Sequence, residues 1–343
     1  MSEEGSGIPP TPDTPSRRSS IRRSSDGAAD SSTFQVHVRA ARSEFEHQIE
    51  RARVEFEEAN ERINARSGRN LFMAILIGVG IGGLVLGTLL FWKWAFIAFA
   101  VPLCVLGIVE FVRALQTGGR RVDLAAQLTA GALILAAAFA GYLTHWLVTF
   151  AAVILVVIWR LIAQMSARDG RSYGDVVSDV LVAGLVPLYV AFHGSLTLVI
   201  LRQEHGELWL LALLIVAVSV DTGAYASGIA FGRHPMAPRI SPNKTWEGFA
   251  GAALVSVVAG ALLAVLMLQI PIWAGVVFGA AILVSATIGD LGESLIKRDL
   301  GIKDMSSFLP GHGGVLDRLD SILPSTVPGL ALFFLFSPMS ALA

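Results

Sequence analysis

The sequence predicts an all-α polytopic membrane protein of about nine transmembrane helices, with its N-terminus inside and its C-terminus outside. A disordered tail and an amphipathic cytoplasmic helix are expected before the first span. Three observations carry this. Hydrophobic residues make up 54% of the chain and charged residues only 15%, a balance that belongs to multi-span helical membrane proteins. From residue 70 onward, apolar stretches of bilayer-crossing length follow one another with short polar breaks. The basic residues then fall in alternate breaks.

Residues 1–32 are rich in Ser, Pro, Gly, Asp and Arg without apolar periodicity, and read as a disordered cytoplasmic tail. The repeat Arg17–Ser20 and Arg22–Ser25 suits anionic headgroups or phosphorylation, or is simply solvated. This start is acidic and Pro/Ser-rich, unlike a secretory signal. Over 33–66 the pattern changes: Phe45, Ile49, Ala52, Phe56, Ala59 and Ile63 recur at spacings of four and three among Glu and Arg. That predicts one amphipathic helix, which lies on the membrane, packs on the membrane domain, or pairs with a second copy.

Spans are expected near 70–90, 92–114, 124–142, 144–164, 176–200, 207–228, 247–269, 272–296 and 321–340. Those within 67–204 form an N-terminal transmembrane region, and 205–343 a catalytic one. Pro187, Gly194, Gly223 and Gly228 interrupt the fifth and sixth spans and point to bent or broken helices there. With the N-terminus inside, the inner loops hold Arg120 and Arg121, then Arg160, Arg168 and Arg171, then Arg233, Arg239 and Lys244, then Lys297, Arg298, Lys303 and Arg318. The outer loops hold only Lys93 and Arg202. Positive-inside counting therefore puts the polar segments described below at the cytoplasmic face.

Net charge is −1, so no bulk attraction to nucleic acid is expected. The single Cys104 sits in an apolar span, which excludes an intramolecular disulfide.

The most polar stretch near the spans is SLIKRDLGIKDMSSFLPGHGGVLDRLD, from Ser294 to Asp320. Ionisable groups are costly beside a hydrophobic core, so acids, bases and glycines gathered there suggest a site for metal ions and phosphates. Asp290, Glu293, Ser294 and Lys297 share one helix face, where two carboxylates above a lysine hold Mg²⁺ beside a phosphate, or Glu293 and Lys297 simply pair. Asp317 and Asp320 lie one turn apart; both face a metal, or Asp320 caps the last span. Asp221 ends the apolar run from Leu210 and is either a paired or cation-binding acid, or an acid emerging among headgroups. Ser241-Pro242 reads as a helix start, with Ser241 as N-cap and Lys244 adding charge to a phosphate site. Gly311–Gly314 offer backbone amides to a phosphate or a base. His312 has no second ligand at zinc spacing.

These blocks resemble the signature of the phosphatidate cytidylyltransferase (CDP-diacylglycerol synthase) family. The resemblance rests on Ser294, Lys297, Arg298, Lys303, Asp304, Pro310, His312, Gly313, Gly314, Asp317, Arg318 and Asp320, with Asp221–Tyr225 and Ser241–Gly248 upstream. It covers roughly residues 205–340. It implies the reaction of CTP with phosphatidate to give CDP-diacylglycerol and diphosphate, for phospholipid biosynthesis at the inner (plasma) membrane. On that resemblance Asp221, Lys244, Asp290, Lys297 and Asp317 are catalytic. Ser241, Thr245, Glu247, Ser294, Arg298, Lys303, Asp304, His312, Gly313, Gly314 and Arg318 bind substrate. Asp221, Asp290, Glu293, Asp317 and Asp320 are the metal candidates, for Mg²⁺ with or without a second cation.

The implied partners are CTP, phosphatidate and membrane lipids; a homodimer is also expected from the size of the chain. A CTP-dependent lipid kinase, or a cytidylyltransferase for another lipid phosphate, remains the nearest alternative. A transporter would place Asp221 and Asp290 near mid-bilayer. A CDP-alcohol phosphotransferase would need a repeated-aspartate pattern that is absent.

Overall fold

A bilayer offers no water to unpaired backbone groups, so a chain this apolar must close its hydrogen bonds within helices. The computed structural model describes residues 71–167, 170–306, 308 and 313–341. The tail of 1–32, the amphipathic helix of 33–66, Arg168, and the Pro310, Gly311 and His312 of the polar segment lie outside the described residues.

The helices run α1 (Leu71–Phe91), α2 (Lys93–Thr117), α3 (Leu124–Ala137), α4 (Tyr142–Ser166), α5 (Tyr173–Val186), α6 (His193–Leu201) and α7 (Gly206–Phe231). A short antiparallel hairpin follows, β1 (Pro235–Ala237) with β2 (Ser241–Thr245). Then come α8 (Trp246–Leu263), α9 (Ile272–Asp299), the single turn α10 (Leu316–Leu319) and α11 (Ile322–Phe336). Among the described residues, seven stretches are long and apolar enough to cross a membrane: Lys93–Thr117, Tyr142–Ser166, Tyr173–Leu201, Gly206–Phe231, Trp246–Leu268, Ile272–Asp299 and Leu316–Met339. Leu124–Ala137 is apolar but shorter. The protein is an integral membrane protein.

The third expected span, 124–142, ends early, at Ala137. The chain turns through Gly141, whose φ of 110° favours glycine, and α4 starts at once. Arg202 donates to the Ala138 carbonyl at 2.5 Å, satisfying the end of α3. In the fifth span the ladder slips rather than breaks. Pro187 has no N–H to give, and Pro187–Phe192 forms a π-helical turn that joins α5 to α6.

The expected break in the sixth span is absent: α7 is continuous. Its glycines serve packing instead. A Cβ on Gly223 would stand 3.1 Å from the Ala252 Cα of α8. The same rule fixes α8 on α9. Gly248, Ala252, Ser256, Gly260 and Ala264 recur every fourth residue and are buried, so α8 presents one small-residue seam. A Cβ on Gly260 would fall 2.3 Å from the Gly275 carbonyl oxygen, and one on Gly279 2.4 Å from that of Ser256. Only glycine lets these backbones approach so closely. The seam holds Asp221 on α7 and Asp290 on α9 to either side of α8.

Candidate functional site

Three blocks far apart in the sequence line one cavity of about 420 Å³. Asp221 comes from α7, Lys244 from β2, Asp290 from α9, and Asp317, Arg318 and Asp320 from α10 and its C-terminal edge. Apolar side chains, among them Val220, Phe249 and Ala252, form another part of the wall. The lining is thus polar in one part and apolar in another.

Lys244 Nζ pairs with Asp290, and both side chains keep about a quarter of their surface, at 24% and 28%. The pair therefore remains reachable from the cavity. Ser294 Oγ donates to Asp290 Oδ1 at 3.4 Å. Ser321 stands between the other two acids. Its hydroxyl lies 3.2 Å from Asp221 Oδ1 and 3.4 Å from Asp320 Oδ1, and its amide donates to Asp320 at 2.7 Å. One hydroxyl cannot donate fully to two carboxylates at once, so the Ser321 proton is shared between them.

The segment after α9 is folded by charge as well. Gly301, with φ of 69°, ends α9: its amide returns to Arg298 O and that of Ile302 to Lys297 O. Asp317 then gathers the loop. It accepts from Lys297 Nζ at 2.9 Å, from the Met305 amide at 2.9 Å and from the Gly314 amide at 2.8 Å. Lys297 also lies 3.1 Å from the fully buried Glu293. Glu293 and Lys297 are thus paired beneath the loop and do not line the cavity.

Several expected roles change with this geometry. Ser241 does not start a helix: Ser241–Thr245 is strand β2, and the N-cap is Thr245, whose hydroxyl accepts from the Gly248 amide at 3.1 Å. Pro242 blocks an earlier start no better than it aids one, because the β1 pairing takes Ser241 and Thr245 first. Glu247 turns away from the cavity and ties down the hairpin, accepting from the amides of Arg233 and His234 and from His234 Nδ1 at 2.5 Å. Arg298 donates to Ile240 O at 3.1 Å and holds the hairpin to α9. Gly314 gives its amide to Asp317 rather than to the cavity, and Gly313 takes φ of 82° beside the same carboxylate. Lys303 and Asp304 are exposed on the loop.

Two residues escaped the sequence reading. Ser321 adjoins the polar segment and carried no signal of its own. Glu110 had one: it is a lone acid in an apolar span, which is costly unless partnered. It is 6% exposed, accepts from Ser306 Oγ at 2.6 Å and from the Leu316 amide at 2.9 Å, and so anchors the loop to α2.

Among the described residues no three His, Cys, Asp or Glu side chains form a ready cage for a metal ion. The donor set still suits Mg²⁺, which is commonly held by one or two carboxylates with water and substrate phosphates completing the shell. Asp221, Asp290 and Asp320 face one cavity and supply oxygen donors.

The model of the cytidylyltransferase family matches residues 72–336. A protein of Mycobacterium bovis named phosphatidate cytidylyltransferase is 36% identical over 273 residues, covering 77% of this chain and 88% of that protein. One of the same name from Mycobacterium leprae is 36% identical over 275 residues, covering 76% and 87%. Another, from Brucella suis, is 33% identical over 272 residues, covering 76% and 93%.

Proposed function

This chain belongs to the cytidylyltransferase family, and on that premise we propose that it transfers the CMP unit of CTP to phosphatidate, giving CDP-diacylglycerol and diphosphate. The observation that carries the reading is the shared cavity. Acids from α7, α9 and α10 meet Lys244 and Arg318 around one space whose wall is partly apolar. A nucleotide needs the charged part, and a diacyl lipid needs both.

The chemistry requires little covalent help. An oxygen of the phosphatidate phosphate, anionic at neutral pH, attacks the α-phosphorus of CTP. A P–O bond forms, and the bond from that phosphorus to the β-phosphate oxygen breaks, its electron pair leaving with diphosphate. No side chain needs to remove a proton from the nucleophile. The task is to bring two polyanions together and to stabilise charge as the leaving group departs.

Lys244 and Arg318 hold phosphates from different elements of the wall. Asp290 keeps Lys244 in place through their ion pair. Asp221, Asp290 and Asp320 would hold Mg²⁺, and Ser321 sets the two of them that it touches. Bound there, the cation supplies charge neutralisation on the phosphate oxygens. Lys297, Glu293 and Glu110 act one layer behind, and Asp317, which lines the cavity, joins them in fixing the chain around Arg318 and Asp320.

The basic-residue pattern supports an N-in, C-out chain in the inner (plasma) membrane, with this cavity at the cytoplasmic face where CTP is available. A labelled-nucleotide assay tests the reading. Purified protein with Mg²⁺ and phosphatidate should carry label from the α-phosphate of CTP into lipid and release diphosphate. Label entering lipid from the γ-phosphate instead would establish a kinase and refute the proposal.

A further inference from the structure

A second cavity, of about 260 Å³, lies inside the bundle and is apolar. Its walls come from α1, α2, α6, α7, α10 and α11, with Gly78, Phe96, Thr197, Leu210, Leu319 and Ile322 among them. Thr197 and Arg318 are the only side chains in that lining with nitrogen or oxygen atoms. The Thr197 hydroxyl is turned back on the Gly194 carbonyl at 2.7 Å, so it offers a ligand little. Hydrocarbon is the one chemistry this space can recognise.

Arg318 lines both cavities. It stands where the charged space meets the apolar one. On α7 the apolar cavity touches Leu214 and Leu210, seven and eleven residues before Asp221. At the helical rise those positions lie about 10–16 Å along the axis from the acid. On α2 its lining runs from Cys104 to Phe96, about 12 Å along that helix. The cavity therefore leads away from the acids along the bundle, with the one guanidinium at its start. A molecule with an anionic phosphate joined to a long hydrocarbon chain fits that order of groups.

Resting on the reading that the chain acts on phosphatidate, we propose that this apolar cavity binds one acyl chain of the lipid substrate, with Arg318 at the junction holding its phosphate. The second chain stays outside this cavity, among membrane lipids. The cavity then sets chain-length preference, while the acids and Lys244 set the chemistry.

Gly78 allows a clean test, because a Cβ placed there meets nothing within 4 Å. Gly78→Phe should place a ring at the cavity wall, with its Cβ meeting no neighbour. Thr197→Leu narrows the opposing wall and loses only a bond to its own helix. Full-length protein would be assayed in detergent with dioleoyl and with dihexanoyl phosphatidate. In both variants kcat/KM for the dioleoyl lipid should fall about tenfold or more, while that for the dihexanoyl lipid stays near wild type. Thermal stability gives a readout that needs no turnover. Dioleoyl phosphatidate, without CTP, should raise the melting temperature of wild type more than that of either variant. An equal loss on both lipids, or no loss on either, overturns the inference alone. Absence of lipid-linked CMP from wild type with either lipid overturns the underlying reading, and the inference with it.

Discussion

Glu110 offers the sharpest test of how the site is built. It sits in α2, far in sequence from the polar segment, yet its carboxyl group accepts from Ser306 at 2.6 Å and from the Leu316 amide at 2.9 Å. Hydrogen bonds to a charged group contribute about 1.5–3 kcal/mol each, so Glu110→Ala should cost about 3–6 kcal/mol. It also leaves a buried amide without a partner. Glu110→Gln behaves differently. Its carbonyl oxygen can accept from Leu316 while its NH₂ donates to Ser306, whose hydroxyl reverses direction. Both contacts survive as neutral hydrogen bonds, each roughly half as strong, so the loss falls to about 1–3 kcal/mol.

Thermal unfolding in detergent and kcat/KM with CTP and phosphatidate would be measured together. The Ala variant should melt several degrees lower and lose most of its activity, because Arg318 and Asp320 follow Leu316 directly. The Gln variant should melt between wild type and Ala and keep most activity. A Gln variant that is fully folded but as inactive as Ala would refute the positioning argument and place the Glu110 carboxylate in the chemistry. An Ala variant with wild-type melting and activity would refute the anchoring itself.

Asp290→Asn should abolish turnover without unfolding the protein, since it removes charge at constant volume; substantial Mg²⁺-dependent activity would sink its proposed metal role. Gly279→Leu should sharply lower the yield of folded protein, because a Cβ there lies 2.4 Å from a backbone carbonyl that cannot move aside, and wild-type melting would contradict the α8–α9 contact. Single cysteines at Asn243 and at the exposed Phe308, in a Cys104→Ala background, should be labelled only from the cytoplasmic side; labelling from opposite sides would break the topology on which the reading rests. Removing residues 1–32 should leave kcat/KM within about twofold, because no residue of the three polar blocks lies there, and a large loss with the protein still folded would make the tail part of the enzyme.

The sequence by itself determined the membrane class, the approximate positions of the apolar helices and the chemical character of the site. These depend on local composition: bilayer length, the cost of charge near hydrocarbon, and residue types gathered in three short blocks. Asp221, Lys244, Asp290, Arg318 and Asp320 could therefore be picked out one segment at a time. Local signals were weaker where two readings shared one pattern. Ser241-Pro242 looks like a helix start, but pairing with β1 is a tertiary choice and moved the cap to Thr245. Gly223 and Gly228 looked like breaks, yet a glycine that bends a helix and one that admits a neighbouring helix are the same residue in sequence.

Only the tertiary structure decided which polar groups face the cavity and which hold it together. Asp317 and Lys297 belong to the same block as Asp320, but Asp317, although it lines the cavity, spends its oxygens on Lys297 and two loop amides, and Lys297 is closed in by Glu293. Glu110 joined the site from 206 residues before Leu316 in the sequence. The physical reason is that a carboxylate's role is fixed by the donors within about 3 Å of it, and those donors come from whichever elements pack alongside. Spacing along the chain places a residue on a helix face; helix packing alone determines what that face meets.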